Sequence, residues 1–110
     1  MNPIRRKRLE KRILVLVSDL LYREFKDPSI GFVTFTKVDL AGDTSTAKIF
    51  VSVYEEPDRQ AETMDALRKT RGFVKAMIAK NIKIKNIPNV EYILDDSLAR
   101  AENLDKLIDT

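Results

Sequence analysis

The side chains best suited to hold a dense anion fall in two stretches of the sequence. Residues 1–12 carry Arg5, Arg6, Lys7, Arg8, Lys11 and Arg12 against a single acid, Glu10. Residues 68–85 carry Arg68, Lys69, Arg71, Lys75, Lys80, Lys83 and Lys85 with no acid, and Gly72 sits among them. Acids collect elsewhere, first as Glu55, Glu56, Asp58, Glu62 and Asp65, then as Glu91, Asp95, Asp96, Glu102, Asp105 and Asp109. The net charge of +3 therefore conceals a sorted distribution, and a domain built from basic and acidic blocks presents a dipolar surface. Nucleic acid, with its repeating phosphates, is the commonest partner of such a surface. Any single run reads equally well as a solvated helix face, but an acid-free basic window of 18 residues makes that reading harder to sustain.

The same inventory excludes most catalysis. The chain has no Cys and no His, so thiolate chemistry, disulfides, imidazole general bases and the usual zinc ligand sets are absent. Asp95-Asp96 suits either a Mg²⁺ site in a metal-dependent ribonuclease or capping of the turn at Ser97, the second being the commoner use of such residues. No catalytic residue, metal ligand or cofactor is expected, and the chain is expected not to be an enzyme. The apolar run Ile13 to Val17, closed by Ser18 and Asp19, is too short for a signal-peptide core or a membrane span. The expected compartment is the cytoplasm, with which a Cys-free chain is compatible.

These side chains need elements to hold them, and 110 residues suffice for one domain, expected here over 1–110. Asn2-Pro3 reads as a helix start, and Leu9, Ile13, Leu16, Val17, Leu20 and Leu21 recur at helical spacing down to about Phe25. Asp27-Pro28 closes that helix. Its basic first turns oppose the helix dipole, which suggests that their charge serves a partner. Ile30–Leu40 and Thr46–Tyr54 read as strands joined by the turn residues 41–45. The second strand alternates Ala47, Ile49, Val51 and Val53 with Lys48, Phe50, Ser52 and Tyr54. Packing of Phe50 and Tyr54 under a helix is the expected use of those rings, and base stacking on an open sheet is the other. Pro57 opens a second helical stretch, with Met64, Leu67, Val74, Met77 and Ile78 as its stripe, and Val90–Leu94 reads as a last strand. The order helix, strand, strand, helix, kink, helix, strand predicts an α+β domain, a three-stranded mixed sheet with helices on one face.

Gly72 interrupts the second helical stretch, where glycine costs about 1 kcal/mol relative to Ala. Two reasons for it are a kink at Thr70-Arg71-Gly72 and close approach of the backbone to a ligand. A helix junction amid Arg68, Lys69, Arg71 and Lys75 suits phosphate. K-homology domains clamp a nucleic-acid backbone with a GxxG loop at such a junction; GxxG is absent here, but the element order matches the bacterial, type II variant of that fold. On this reading Gly72→Val disturbs the junction and Thr70→Ala is nearly silent.

The ordered set of motifs resembles the ribosome-binding factor A family. The set comprises Lys26-Asp27-Pro28 after an Arg-rich helix, the strands Gly31–Val38 and Ala47–Val53, Gly72-Phe73-Val74-Lys75 at the kink, and Pro88, Tyr92, Asp95, Asp96 and Ser97 around the last strand. The resemblance runs from Ile4 to Ile108. It departs from the family at Thr70, where Ala is usual, and at Lys75, where Arg is common. It implies a cytoplasmic assembly factor that binds the free small (30S) ribosomal subunit and its 16S rRNA during late maturation and precursor processing, above all in the cold. The factor would be a monomer when unbound, free of membrane and without cofactor. The RNA-binding residues nominated are Arg5, Arg6, Arg8, Arg12, Arg68, Lys69, Arg71, Gly72, Lys75, Lys80, Lys83 and Lys85. Besides the ribonuclease, the alternative is a membrane-surface module using the basic amphipathic first helix.

Overall fold

Asn2 starts the first helix as its side chain predicts: in the computed structural model, which describes residues 1–95, its Oδ1 accepts from the Ile4 N–H at 2.8 Å and Pro3 occupies the first turn. Asp96, Ser97, Glu102, Asp105 and Asp109 lie outside the described residues. Helix α1 spans Pro3–Arg23 and buries Leu9, Ile13, Val17 and Leu20. It stops just short of Phe25 because the Glu24 and Phe25 N–H groups both turn to the Leu20 carbonyl. Pro28–Ile30 then forms a 3₁₀ turn, with Asp27 accepting from the Ser29 N–H at 2.9 Å. Gly31 follows at φ +65°, and a Cβ there would lie 2.7 Å from the Glu55 carboxylate. That turn delays the strand expected from Ile30, which begins at Val33.

Strand β1 (Val33–Leu40) and strand β2 (Thr46–Val53) form an antiparallel hairpin, and strand β3 (Asn89–Leu94) lies parallel to β2 on its other side. A bulge between Phe35 and Lys37 inserts Thr36, so that Thr36 and Lys37 are both exposed. Helix α2 (Pro57–Arg68) and helix α3 (Arg71–Asn81) connect β2 to β3. Period-two alternation turns Phe35, Val38, Leu40, Ala47, Ile49, Val51, Val90 and Tyr92 inward, where all are buried. The helices meet them there with Ile13, Val17, Leu67, Val74 and Ile78, each fully enclosed. Burial of one such aliphatic side chain contributes about 1.5 to 3 kcal/mol. This is the mixed sheet with helices on one face that the sequence predicts.

Two features differ from expectation or add to it. Phe50 and Tyr54 do not pack under a helix: they belong to the opposite alternation, on the helix-free face, where Phe50 is half-buried with the Lys37 ammonium 5.3 Å from its centroid. Tyr54 is 48% exposed and meets the exposed Phe32 edge-on at 5.5 Å. Glu10, the lone acid of the first basic block, is not a surface counter-charge. Its Oε2 accepts from the Leu40 N–H at 2.7 Å and so satisfies a donor on the edge strand.

Candidate nucleic-acid interface

The junction between α2 and α3 falls at Lys69 and Thr70, before Gly72. The Thr70 N–H bonds to the Leu67 carbonyl at 2.9 Å, and its hydroxyl donates to the same oxygen at 2.6 Å. The chain thus turns within three residues and cannot continue the α-helical ladder. The Thr70 oxygen also lies 2.8 Å from the Tyr92 hydroxyl. A hydroxyl has one proton, and Leu67 offers only an acceptor, so the Tyr92 phenol is the donor in that contact. Tyr92 is buried, stacks on Phe35 at 5.8 Å, and has its phenol pushed up to about 12 by burial. A core side chain therefore latches the junction to the sheet.

This corrects the role given to Gly72 within the Thr70, Arg71, Gly72 kink. Gly72 lies inside the first turn of α3, and a Cβ there would meet nothing within 4 Å. The backbone is turned by Thr70, whose hydroxyl takes the carbonyl a helix would have used. The expectation that Thr70→Ala is nearly silent reverses for the same reason, since Ala would leave the Tyr92 hydroxyl without its acceptor.

Around the junction Arg68, Lys69, Arg71, Gly72 and Lys75 are exposed as expected. Most of these cations are nonetheless engaged. Arg68 pairs with Asp65 at 3.1 Å, Arg71 Nε donates to the Arg68 carbonyl at 2.9 Å, and Lys75 Nζ donates to Asn89 at 2.8 Å. Lys69 borders a cleft lined also by Asp27, Glu62 and Asp65. On its α1 side the junction carries Phe73, 44% exposed, in a hollow it shares with Phe25 and Lys26.

The other end of α3 rests against α1. There Arg8, Lys11, Arg12, Val15, Leu16 and Asp19 of α1 and Asn81 and Ile82 of α3 and its cap line an open groove of about 640 Å³. The fold thus brings Arg8 and Arg12 of the first basic block to the sequence neighbours of Lys80 and Lys83 in the second, all four exposed. It does not bring them to Arg68, Lys69 and Arg71, which lie at the opposite end of an 11-residue helix, about 16 Å away along its axis. Arg5 is exposed, whereas Arg6 is half-buried with its Nε enclosed and unbonded among the described residues. Lys85 is exposed in the loop tied to the hairpin by the Thr44 hydroxyl donating to the Asn86 carbonyl at 3.0 Å.

Sequence reasoning missed Val15, Asp19 and Asn81 as groove residues. Val15 carried a signal, because it falls off the apolar stripe of α1 and one turn beyond Lys11 and Arg12. Asn81 carried none, since its position depends on where α3 docks. The alternatives fare differently. The apolar stripe a membrane module needs is buried against the sheet, and no helix among the described residues is long and apolar enough to cross a membrane. The Asp95 carboxylate accepts from the Thr36 hydroxyl at 3.1 Å, and no group of three His, Cys, Asp or Glu suited to a metal occurs among the described residues.

The model of a protein family described as ribosome-binding factor A matches residues 5–108. A ribosome-binding factor A of Natranaerobius thermophilus is 36% identical over 108 residues, which are 98% of this chain and 82% of that protein. The solution structure of a Thermotoga maritima protein superimposes with a TM-score of 0.74 at 33% identity, over 84% of this chain and 90% of that one. A Thermus thermophilus ribosome binding factor A, fitted as a homology model into a cryo-EM map of a complex with 30S, aligns with a TM-score of 0.65 at 19% identity. That alignment covers 81% of this chain and 93% of the other, and at such identity it speaks for the fold alone.

Proposed function

The chain belongs to the ribosome-binding factor A family, and from that premise we propose that it binds the free 30S subunit during late maturation. On this reading it contacts phosphates of the 16S rRNA, supports processing of the precursor, above all in the cold, and catalyses nothing itself. Membership of a family described as ribosome-binding factor A supports the partner. The observation that carries the reading for this chain is the groove in which Arg8, Lys11 and Arg12 of the first basic block face Asn81 and Ile82, the sequence neighbours of the exposed Lys80 and Lys83 of the second. Arg5, Lys80, Lys83 and Lys85 extend that surface, and the junction cations Arg68, Lys69, Arg71 and Lys75 flank the exposed first turn of α3.

Such a factor acts by differential affinity: it stabilises the rRNA arrangement it binds best and requires neither nucleotide nor metal to do so. It works in the cytoplasm, as one domain and as a monomer until it meets the subunit. The purified chain, mixed with free 30S subunits and with assembled ribosomes and centrifuged through sucrose, is expected to travel with the free subunits. Equal partition to assembled ribosomes, or migration at the top of the gradient, contradicts the reading. Incubation with precursor rRNA and Mg²⁺ is expected to leave the RNA intact; cleavage by the pure protein would restore the ribonuclease alternative.

A further inference from the structure

We infer that the hollow between the end of α1 and the start of β1 takes an arginine side chain from an extended, basic segment of a protein partner. The hollow shares no lining residue with the cation-rimmed groove. The inference goes beyond the RNA reading and does not rest on it.

Four Phe and Tyr side chains of the chain are exposed, and three of them gather here. Tyr22, in the last turn of α1, is 87% exposed, and Phe32, just before β1, is 69% exposed. Both line a hollow of about 380 Å³ together with the half-buried Phe25. Tyr54 extends the Phe32 wall, its ring edge-on to that of Phe32 and its N–H bonded to the Phe32 carbonyl at 2.9 Å. The backbone is built to hold Phe32 outward. Gly31 ends the 3₁₀ turn at φ +65°, and its missing Cβ makes room for the Glu55 carboxylate, which accepts from the Phe32 N–H at 3.2 Å. Exposed apolar side chains gathered within a polar rim mark an interaction surface.

The charge at this hollow is acidic. Asp27 is the only charged residue lining it among the described residues, and Glu55 stands at its rim beside Phe32. Each uses one oxygen on a backbone N–H, of Ser29 and of Phe32, and no further bond to either carboxylate occurs among the described residues. The nearest cations in sequence are directed elsewhere: Arg23 pairs with Asp19 at 3.1 Å, and Lys26 lines the separate hollow of Phe73. Phe50 already has the Lys37 ammonium 5.3 Å from its centroid, whereas no cation lies over Tyr22, Phe32 or Tyr54 among the described residues.

Each part of this arrangement selects. Exposed rings attract a cation over their faces and an unstacked base alike. The two carboxylates separate those occupants, because they repel the phosphate that accompanies every base and attract the cation. An apolar peptide would cover the rings but leave both acids desolvated and unpaired. Between the two cationic side chains, a guanidinium lies flat on a ring and forks across a carboxylate, while a lysine ammonium is a strongly hydrated point charge. Glu56 and Asp58, both exposed, continue the acids from Glu55 into the first turn of α2. A segment that seats its arginine in the hollow therefore gains from further basic residues along its length.

The test titrates the isotope-labelled full chain with a peptide of four Gly-Arg repeats and with its Gly-Lys counterpart, and reads backbone amide shifts by NMR. The Gly-Arg peptide is expected to move the Tyr22, Phe32 and Tyr54 amides and to bind about threefold more tightly than the Gly-Lys peptide. Tyr22→Ser and Phe32→Ser, at exposed positions, should each raise its Kd about threefold to fivefold. Glu55→Gln, which keeps an acceptor for the Phe32 N–H, should raise it about threefold. Glu91→Gln, on β3, is the control and should change nothing. Absence of binding, equal affinity for the two peptides, or an equal loss in Glu91→Gln overturns the site. If eight-nucleotide oligo(A) binds the parent and is lost in Tyr22→Ser, the rings belong to RNA bases and the protein partner is wrong. Self-association of the parent that disappears in Phe32→Ser would give the hollow to a second copy and overturn it equally. Melting temperatures check the serine variants, and Glu55→Gln decides alone if either of them melts early.

Discussion

The two ends of helix α3 carry comparable numbers of cations and hold them in opposite ways. At its N-terminal end Arg68, Arg71 and Lys75 are tied to Asp65, a backbone carbonyl and Asn89, and Lys69 borders three carboxylates. At its C-terminal end Arg8, Lys11 and Arg12 rim an apolar groove with no acid nearer along α1 than Glu10, which is turned away to the Leu40 N–H, and Asp19. The first end is a fixed joint and the second an open electropositive surface. Charge counted along a sequence thus measures potential only where the fold leaves the charge unpartnered.

The largest expected effect tests that contrast directly. Reversing Arg8 and Arg12 to Glu should weaken 30S binding about a hundredfold, the loss of two charge-assisted contacts, whereas reversing Arg68 and Arg71 should weaken it about tenfold. The slope of log affinity against log salt should fall by about 0.7 to 0.9 for each phosphate contact deleted, and so fall more for the first pair. Sedimentation at several salt concentrations measures both, with unchanged melting temperatures as the control. The opposite ranking would make the joint, and not the groove, the main RNA contact.

Next in size is the joint itself. Thr70→Val removes the acceptor of the Tyr92 hydroxyl and should cost about 1 to 2 kcal/mol, a fall of roughly 4 to 15 °C in Tm for a domain of this size. Tyr92→Phe alone should cost about 1 kcal/mol, and the double variant less than the sum of the two, because no buried hydroxyl is then left unpaired. Strict additivity in thermal melts would mean that the two hydroxyls do not act as a pair.

Tyr92 also gives the joint a pH signature. Its phenol is raised in the folded chain from 10.0 to about 12 by burial, so the folded state retains a proton that the unfolded chain gives up. Its contribution to stability is therefore complete below pH 10 and is lost as pH climbs from 10 through about 12. The measurement that isolates the phenol is the difference between the parent and Tyr92→Phe. The parent's denaturant midpoint should fall more steeply with pH, and parallel curves would contradict the burial of the phenol.

The smallest effect has the opposite sign. Gly72→Ala adds a methyl into open space within a helix and should stabilise the domain by up to about 1 kcal/mol. Measured with 30S binding, it separates two uses of the missing Cβ. A more stable variant that binds as the parent does leaves Gly72 without a role in contact, and a more stable variant that binds weakly assigns the gap to the RNA backbone.

Several features were legible before any fold because they depend on neighbours in the chain. Asn2 and Pro3 start α1, Pro57 starts α2, and the alternation of Ala47, Ile49 and Val51 places the buried face of β2. The same alternation put Phe50 and Tyr54 on the opposite face, and their expected burial failed because nothing local says which side of a sheet lacks helices. Gly72 drew attention by its low helix propensity, but the joint is made two residues earlier by Thr70, whose decisive partner is 22 residues away.

What the sequence by itself determined is the order and type of the elements, the one-sided core, the family, and the segregation of charge into blocks, since each follows from residue type and short-range spacing. The tertiary structure decided which cations are available. Docking of α3 against α1 set Arg8 and Arg12 in one groove with Asn81, and packing of α3 on β3 gave Lys75 its Asn89 partner. It also carried Glu10 out of its basic block to close a strand edge and placed Tyr92 under Thr70. A side chain's charge or hydroxyl is fixed by its chemistry, but the partner that engages it is set by distances between segments remote in the chain, and those distances exist only once the core has packed.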